Sequence, residues 1–219
     1  MTNEQLESYI DSLNQNQITD YIFRTMLTKE VDLAKVWTEL PNGNISNQGS
    51  YDIYFIKNFN NTYVAAVLDM HHDLHVFVKA EHRKKGYLSK AINEVILPHL
   101  ACNGRDKQKI TFEDKKMGNY FMKNWGFTII DEHNAERSLA ELTANNEIIN
   151  DCYQISYSDY QRMQAKIRTA RLHITMVKEQ LEATFGKLDD SNIAYLEYEL
   201  QKLEDDVFNL IEERQGNLY

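Results

Sequence analysis

The apolar positions change period several times along the chain, and each change predicts an element. Leu6, Ile10 and Leu13 recur at helical spacing and predict a short amphipathic helix over residues 1–13. Residues 19–27 are rich in strand formers. Residues 28–40 then read as a helix, with Thr28 as N-cap, Val31 as an early apolar position and Leu33, Val36, Trp37 and Leu40 on one face. Residues 41–50 carry Pro41, Gly43 and Gly49 and predict a loop. Strands follow over 51–59 and 62–70, with Asn60-Asn61 as a tight turn between them, and a third over 73–80. A helix is expected up to Leu100, a strand over 109–114, a helix over 116–125 and a strand over 127–132. A helical segment over 135–144 and an alternating strand over 151–158 complete the series. This order predicts an α/β (α+β) fold, a mixed central sheet with helices on both faces.

After Ser158 the period becomes 3-4-3-4. Tyr160, Met163, Ile167, Ala170, Ile174, Val177, Leu181, Thr184 and Leu188 form one seam, and Ile193, Leu196, Leu200, Leu203, Val207 and Leu210 form a second. Gly186 ends the first helix and Asp189-Asp190-Ser191 caps the second, so an antiparallel helical hairpin is expected. A helix of about 26 residues extends about 39 Å. The predicted organisation is a domain over 1–158 and a coiled-coil-like arm over 159–219, suited to a homodimer or to a partner protein.

Charge changes the picture in one place. The formal net charge is −9, which argues against a nucleic-acid binder, since counterion release needs clustered cations. Residues 79–123 nevertheless hold eleven Lys or Arg against five Asp or Glu, a basic island that implies a local anionic ligand. The longest apolar run, residues 64–68, is too short to span a membrane, and residues 1–7 form no secretory n-region or h-region. Cys102 and Cys152 have neither metal nor redox spacing and read as reduced thiols, so a cytoplasmic location is expected.

The island begins at the junction after the third strand, Glu81-His82-Arg83-Lys84-Lys85-Gly86. A helix N-terminus offers unpaired N–H groups and a positive dipole end, and Gly86 permits close approach or positive φ. A pyrophosphate suits that combination. Neither a P-loop nor a dinucleotide fingerprint is present.

Around this junction the sequence resembles the GNAT superfamily of acyl-CoA-dependent N-acyltransferases. The first family signature is matched by Val78, Ala80-Glu81, Arg83, Gly86 and the helix to Leu100, and the second by residues 109–130 with Gly126-Phe127. Residues 21–40 are similar to the family's opening strand and first helix, so the resemblance covers roughly residues 19–158. It implies acetyl-CoA as co-substrate and a primary amine acceptor. The backbone of Val76, Phe77 and Val78 would hold the pantetheine arm, and the Arg83, Lys84, Lys85, Gly86, Tyr87, Leu88 and Ser89 stretch the pyrophosphate. The chain departs from the family at three positions: Leu88 replaces a small residue, Lys115 the frequent asparagine, and Met122 the proton-donating tyrosine. Tyr120 and Asn119 are the neighbouring candidates for the lost roles. The alternative is a silent CoA-binding or scaffold protein acting through its arm.

Asp69, His71, Asp73 and His75 alternate as ligands on one strand face would, but a turn falls among them, and a histidine-rich hairpin tip without metal is the preferred reading. His72 or His75 is a candidate amine base, as is Glu113. The acidic residues of 131–150 are candidates for attracting an amine, with a solvated helix face as the plain alternative. Tyr153 and Tyr157 are expected in a core.

Overall fold

A computed structural model describes residues 1–17, 22–38, 49–142, 151–152 in their backbone, 154–188 and 191–216. The chain divides into two compact units, Met1–Tyr153 and Gln154–Tyr219. The architecture is α+β, with C-terminal helices. No described helix is long and apolar enough to cross a membrane.

In the first unit, α1 (Asn3–Asn14) begins at a capping box in which Thr2 and Gln5 satisfy each other's backbone N–H groups. Strands β1 (Ile22–Met26), β2 (Val31–Val36), β3 (Tyr51–Lys57), β4 (Tyr63–Asp69) and β5 (Leu74–Val78) follow. They form a sheet in the order β5-β4-β3-β2-β1-β9, closed at its far edge by β9 (Asp151–Cys152). A second sheet has the order β6-β8-β7, from β6 (Lys107–Thr111), β7 (Thr128–Ile129) and β8 (Asn134–Ser138). Every ladder among the described residues is antiparallel.

Both faces of the larger sheet are covered, as expected. Leu6, Ile10 and Leu13 of α1 pack on Ala34, Ile53 and Phe55. The opposite face carries Ile92, Ile96 and Leu100 on Val31, Tyr54 and Val67. Double burial explains why β3 and β4 read as unbroken apolar runs rather than alternating ones. A register shift at Ile56/Lys57 turns Val64 and Ala65 into the same core while Tyr63 enters the other.

The helix after β5 is continuous through α2 (Tyr87–Ala91), a π turn over Ile92–Ile96, and α3 (Leu97–Cys102). The π turn ends two residues before Pro98, whose ring has no N–H for the helix ladder and would crowd a regular turn. Helix α4 (Lys115–Trp125) starts at an Asp114 cap and ends at Gly126, in the left-handed region at φ 67°.

Four expected elements differ. The described part of residues 28–40, which is residues 28–38, contains no helix: Thr28 caps a tight turn, its Oγ1 accepting from Glu30 and Val31 N–H groups, and β2 follows. The apparent helical stripe arose because Val31 faces one core while Ala34 and Val36 face the other. The helix expected after the opening strand is therefore absent from the described residues of this segment. Residues 134–138 are strand β8, with Ala135 buried against the second sheet's core, instead of a helix. The strand expected over 127–132 is a strand only at Thr128–Ile129 and then turns at Ile130 and Asp131, whose N–H groups donate to Asn134 carbonyl. The closing strand is only Asp151–Cys152, because a capping box at Ser156 and Asp159 starts α5 at Tyr157, which is exposed. Tyr153, most of the 41–50 loop, residues 143–150 and the Asp189-Asp190 cap lie outside the described residues.

The second unit is a hairpin of α5 (Tyr157–Phe185) and α6 (Asn192–Gln215). Ser191 caps α6, accepting from Ala194 N–H. Tyr160 and Ile211 form its buried centre, with Met163, Val207 and Phe208 against them.

Candidate functional site

Among the described residues, strand β5 is laddered on one edge only, to β4. Lys79 N–H donates to Val64 carbonyl at 3.0 Å. The two-residue period of a strand therefore turns the backbone groups of Phe77 toward β4 and those of Val76 and Val78 toward the open edge. Val78 carbonyl on that edge accepts from Arg83 Nε at 3.1 Å. The two sheets are tied instead by side chains at the other end of β5. Asp73 accepts from Thr111 N–H at 2.9 Å, and Asp69 takes both terminal nitrogens of Arg105 at 2.9 and 2.8 Å.

At the Val78 end the chain passes a short 3-10 turn at Ala80–His82 and then takes left-handed conformations at Lys84 (φ 61°) and Gly86 (φ 83°). Lys84 reaches this region despite its Cβ, whereas Gly86 does so without steric cost. Such alternation turns successive N–H groups into a concavity suited to an anion. Lys90 N–H is the first to bond back into the helix, to Gly86 carbonyl at 3.0 Å. The amides of Tyr87, Leu88 and Ser89 precede it and have no intrahelical acceptor.

The basic island is only partly available to a ligand. Lys79 reaches Asp11 of α1 at 2.5 Å, and that hydrogen bond raises its pKa. Arg105 is held by Asp69, and Lys107 by Glu136 at 3.0 Å. Lys84 and Lys85 are exposed, and no described carboxylate lies within ion-pair distance of them.

Helix α4 leans on α2 through Tyr120. Its hydroxyl is 2.6 Å from Ser89 Oγ, which also accepts from Trp125 Nε1 at 3.0 Å. Ser89 has a second lone pair and its own proton besides the indole bond, so either hydroxyl can be the donor between Ser89 and Tyr120. Trp125 is itself fixed by stacking on Phe121, centroids 4.5 Å apart. Behind them, Asn93 of the π turn donates to Asn124 carbonyl at 2.8 Å and accepts from Arg137 at 3.0 Å. Arg137 also donates to Trp125 carbonyl, and its burial lowers its pKa. Asn119 is exposed beside Tyr120, and Met122 is half exposed on another flank of α4.

No protein-family model matches the chain, and no curated protein sequence matches it. Solved structures do. The chain is similar to three mutant forms of the spermidine N-acetyltransferase SpeG of Vibrio cholerae. Two cover 65% of this chain and 92% of theirs at TM-score 0.37, with 13% and 11% identity. The third covers 62% and 89% at 13% identity and TM-score 0.33.

The candidate residues do not all converge. Ser89 and Tyr120 meet, and the 83–88 loop adjoins them through the first turn of α2. His75 projects to the α1 side of the sheet, where Nε2 is 2.9 Å from Asn3 Oδ1, and His72 sits in the turn beyond the far end of β5, against His71. Neither histidine joins Tyr120. Asp69 and Asp73 are engaged by Arg105 and Thr111, and no cluster of three metal-ligating side chains occurs among the described residues. Trp125, Asn93 and Arg137 were not foreseen as support for the site; each acts on a residue at least 31 positions away or through its backbone, and no local pattern marks such pairs.

A cavity of about 480 Å³ opens on the flank of α2 opposite Ser89. Val31, Ile56, Ala91 and Val95 line it, and Lys90 and Glu30 face each other across it at 3.8 Å. It is separate from the Ser89–Tyr120 pair.

Proposed function

We propose that the protein is an N-acetyltransferase that moves an acetyl group from acetyl-CoA to a primary amine. The observation that carries this reading is the junction after β5. A strand with one open edge passes through left-handed Lys84 and Gly86 into a helix whose first amides are unbonded, with Lys84 and Lys85 beside it. Oriented amides, a helix dipole and two exposed cations suit a pyrophosphate. An extended, amide-bearing arm adds to the open edge as a strand would, taking the backbone groups of Val76 and Val78. The side chain of Phe77 supports that strand from the core.

The chemistry is aminolysis of a thioester. The amine nitrogen bonds to the carbonyl carbon, the C–S bond breaks with its electron pair on sulfur, the nitrogen loses a proton, and the thiolate gains one. Tyr120 is the proton donor in this reading, and Ser89 positions it. Asn119 borders the same approach. His72 and His75 have no part in this arrangement, so the amine proton leaves to water.

A second reading, a CoA-binding scaffold without turnover, is favoured by Met122 at the family's tyrosine position and by the absence of a described histidine near Tyr120. Titration calorimetry with acetyl-CoA tests the shared step. Binding is expected, weakened about tenfold or more when Lys84→Glu and Lys85→Glu are combined; no binding at millimolar ligand sinks both readings. Thiol release with a panel of amines, polyamines, amino-sugars and peptides separates them. Tyr120→Phe is expected to cut turnover while leaving acetyl-CoA affinity unchanged. Equal turnover in that variant removes Tyr120 from the mechanism.

A further inference from the structure

One flank of α1 runs alongside β5. Asn3 Oδ1 is 2.9 Å from His75 Nε2, and Asp11 Oδ1 is 2.5 Å from Lys79 Nζ. Eight residues of helix rise about 12 Å and four residues of strand about 13 Å, so helix and strand keep step between these two contacts. Glu7 lies midway on the helix, one turn from each, and Phe77 lies midway on the strand. At about 100° per residue, Asn3, Glu7 and Asp11 form a row turned about 90° from the Leu6, Ile10 and Leu13 stripe that packs on the sheet. The stripe points down onto the sheet. The row therefore points sideways over β5, the outermost described strand of its sheet, and toward the edge that carries no ladder.

Glu7 is the member of that row left without a bond. Asn3 is held by His75 and Asp11 by Lys79, whereas the Glu7 carboxylate makes no hydrogen bond or ion pair with a described residue, although it is partly buried. Lys79 does not cancel its charge, being shared between Asp11 at 2.5 Å and Glu81 at 3.8 Å. The Asp11 hydrogen bond raises the pKa of Lys79 most, and the charges of Glu81 and Glu7 add to it. Glu4 lies on the exposed far side of the helix and is held by Thr2. A carboxylate left uncompensated beside a strand edge attracts a cation.

We propose that Glu7 receives the acceptor as an ammonium and takes a proton from it, so that the free amine attacks a thioester laid on the β5 edge. This assignment rests on the acetyltransferase reading above. Phe77 belongs to the core under α1, while Val76 and Val78 pack on the core that holds Phe121 and Trp125 of α4. A thioester on the edge between them meets the amine from the Glu7 side and the Tyr120 hydroxyl from the other. The nitrogen sheds two protons on its way from ammonium to amide. Glu7 takes the first before attack and passes it to water, which reaches its partly exposed carboxylate. The carbon–nitrogen bond then forms and the carbon–sulfur bond breaks with its electron pair on sulfur. The thiolate takes the Tyr120 proton, and the second nitrogen proton restores the phenol through solvent. The acceptor class is a primary amine that is charged in solution.

Steady-state thiol release by the full chain tests this, with acetyl-CoA and the panel amine that the wild type turns over fastest. Glu7→Gln, which keeps the size of the side chain, is expected to lower kcat about a hundredfold and to leave acetyl-CoA affinity by calorimetry unchanged. Glu7→Asp is expected to regain part of that loss, because it restores a carboxylate one methylene short. Glu4→Gln makes the same change of charge on the far side of the helix, where water and salt screen it, and is expected to stay within about twofold of wild type. Unchanged kcat in Glu7→Gln overturns the assignment, as does a loss confined to KM, which would make Glu7 an attracting charge alone. Lost acetyl-CoA affinity in Glu7→Gln, or an equal loss of turnover in Glu4→Gln, overturns it too. A wild type that releases thiol with no amine of the panel overturns the acetyltransferase reading itself, and the assignment with it.

Discussion

The buried ion pair on the α1 side of the sheet gives the sharpest stability prediction. Asp32 of β2 is fully buried and Lys57 of β3 is only 4% exposed; Lys57 Nζ meets Asp32 Oδ1 at 2.9 Å. The other carboxylate oxygen accepts from Tyr63 hydroxyl and lies 3.9 Å from Arg24 in the middle of β1, whose side chain is partly exposed. Removing one member of a buried pair costs about 3–5 kcal/mol, because the remaining charge loses its partner where water does not reach. Lys57→Met keeps the length of the side chain and leaves Asp32 with Tyr63 and Arg24, so the lower end applies, about 3 kcal/mol. With a urea slope of roughly 2 kcal/mol per molar, the midpoint should fall by about 1.5 M. Tryptophan fluorescence is the right probe: the two tryptophans, Trp37 and Trp125, both lie in the first unit, so the hairpin does not enter the signal. Adding Asp32→Leu to Lys57→Met should then cost less than the two single losses combined, since neither charge is left alone. A loss below about 1 kcal/mol in Lys57→Met would mean the pair behaves like a solvated surface bridge, and strict additivity in the double variant would refute the coupling.

Other outcomes follow from the same packing. His99 is pushed below its ordinary 6.5 by burial, an effect that Asp52 and Asp69 only partly oppose, and its Nδ1 is 3.0 Å from Tyr54 hydroxyl. The unfolded chain therefore takes up this proton first: the contribution is complete above about pH 6.5 and declines as pH falls from there through the lowered folded value. Urea midpoints of wild type and His99→Gln should diverge in slope between pH 7 and 5; parallel profiles would exclude His99 as the source. Gly118→Ala should destabilise the fold by about 1 kcal/mol, because the overpacking cost exceeds the gain in helix propensity. The added Cβ would lie 2.7 Å from the ring of Phe112, which is itself buried. A raised melting temperature in that variant would show that Phe112 yields.

Much of the fold was legible because its signals are local. The α1 stripe, the Asn60-Asn61 turn and the apolar runs of β3 and β4 each follow from spacing within one segment. The misread segments share a cause. In β2, Val31 and Ala34 serve different cores, and a doubly buried strand imitates a helical stripe. In β8, good helix formers were drawn into a strand by pairing with Lys107–Thr111, a partner more than twenty residues away. The site divided the same way. The glycine and cations of 83–86 were visible in sequence, whereas the Tyr120–Ser89–Trp125 chain required α4 to be laid against α2.

The sequence by itself determined the number and most of the kinds of elements, the change of texture after Ser158, and the positively charged turn after β5. Those depend on period, capping and composition, which a short window contains. Only the tertiary structure decided that β5 keeps an open edge, that His75 and Tyr120 stand on opposite sides of the sheet, and that Arg168 and Lys178 of α5 meet Glu204 and Glu197 of α6. Each of these depends on which face of one element meets which face of another, and that choice is made by the burial and pairing of residues distant in the chain.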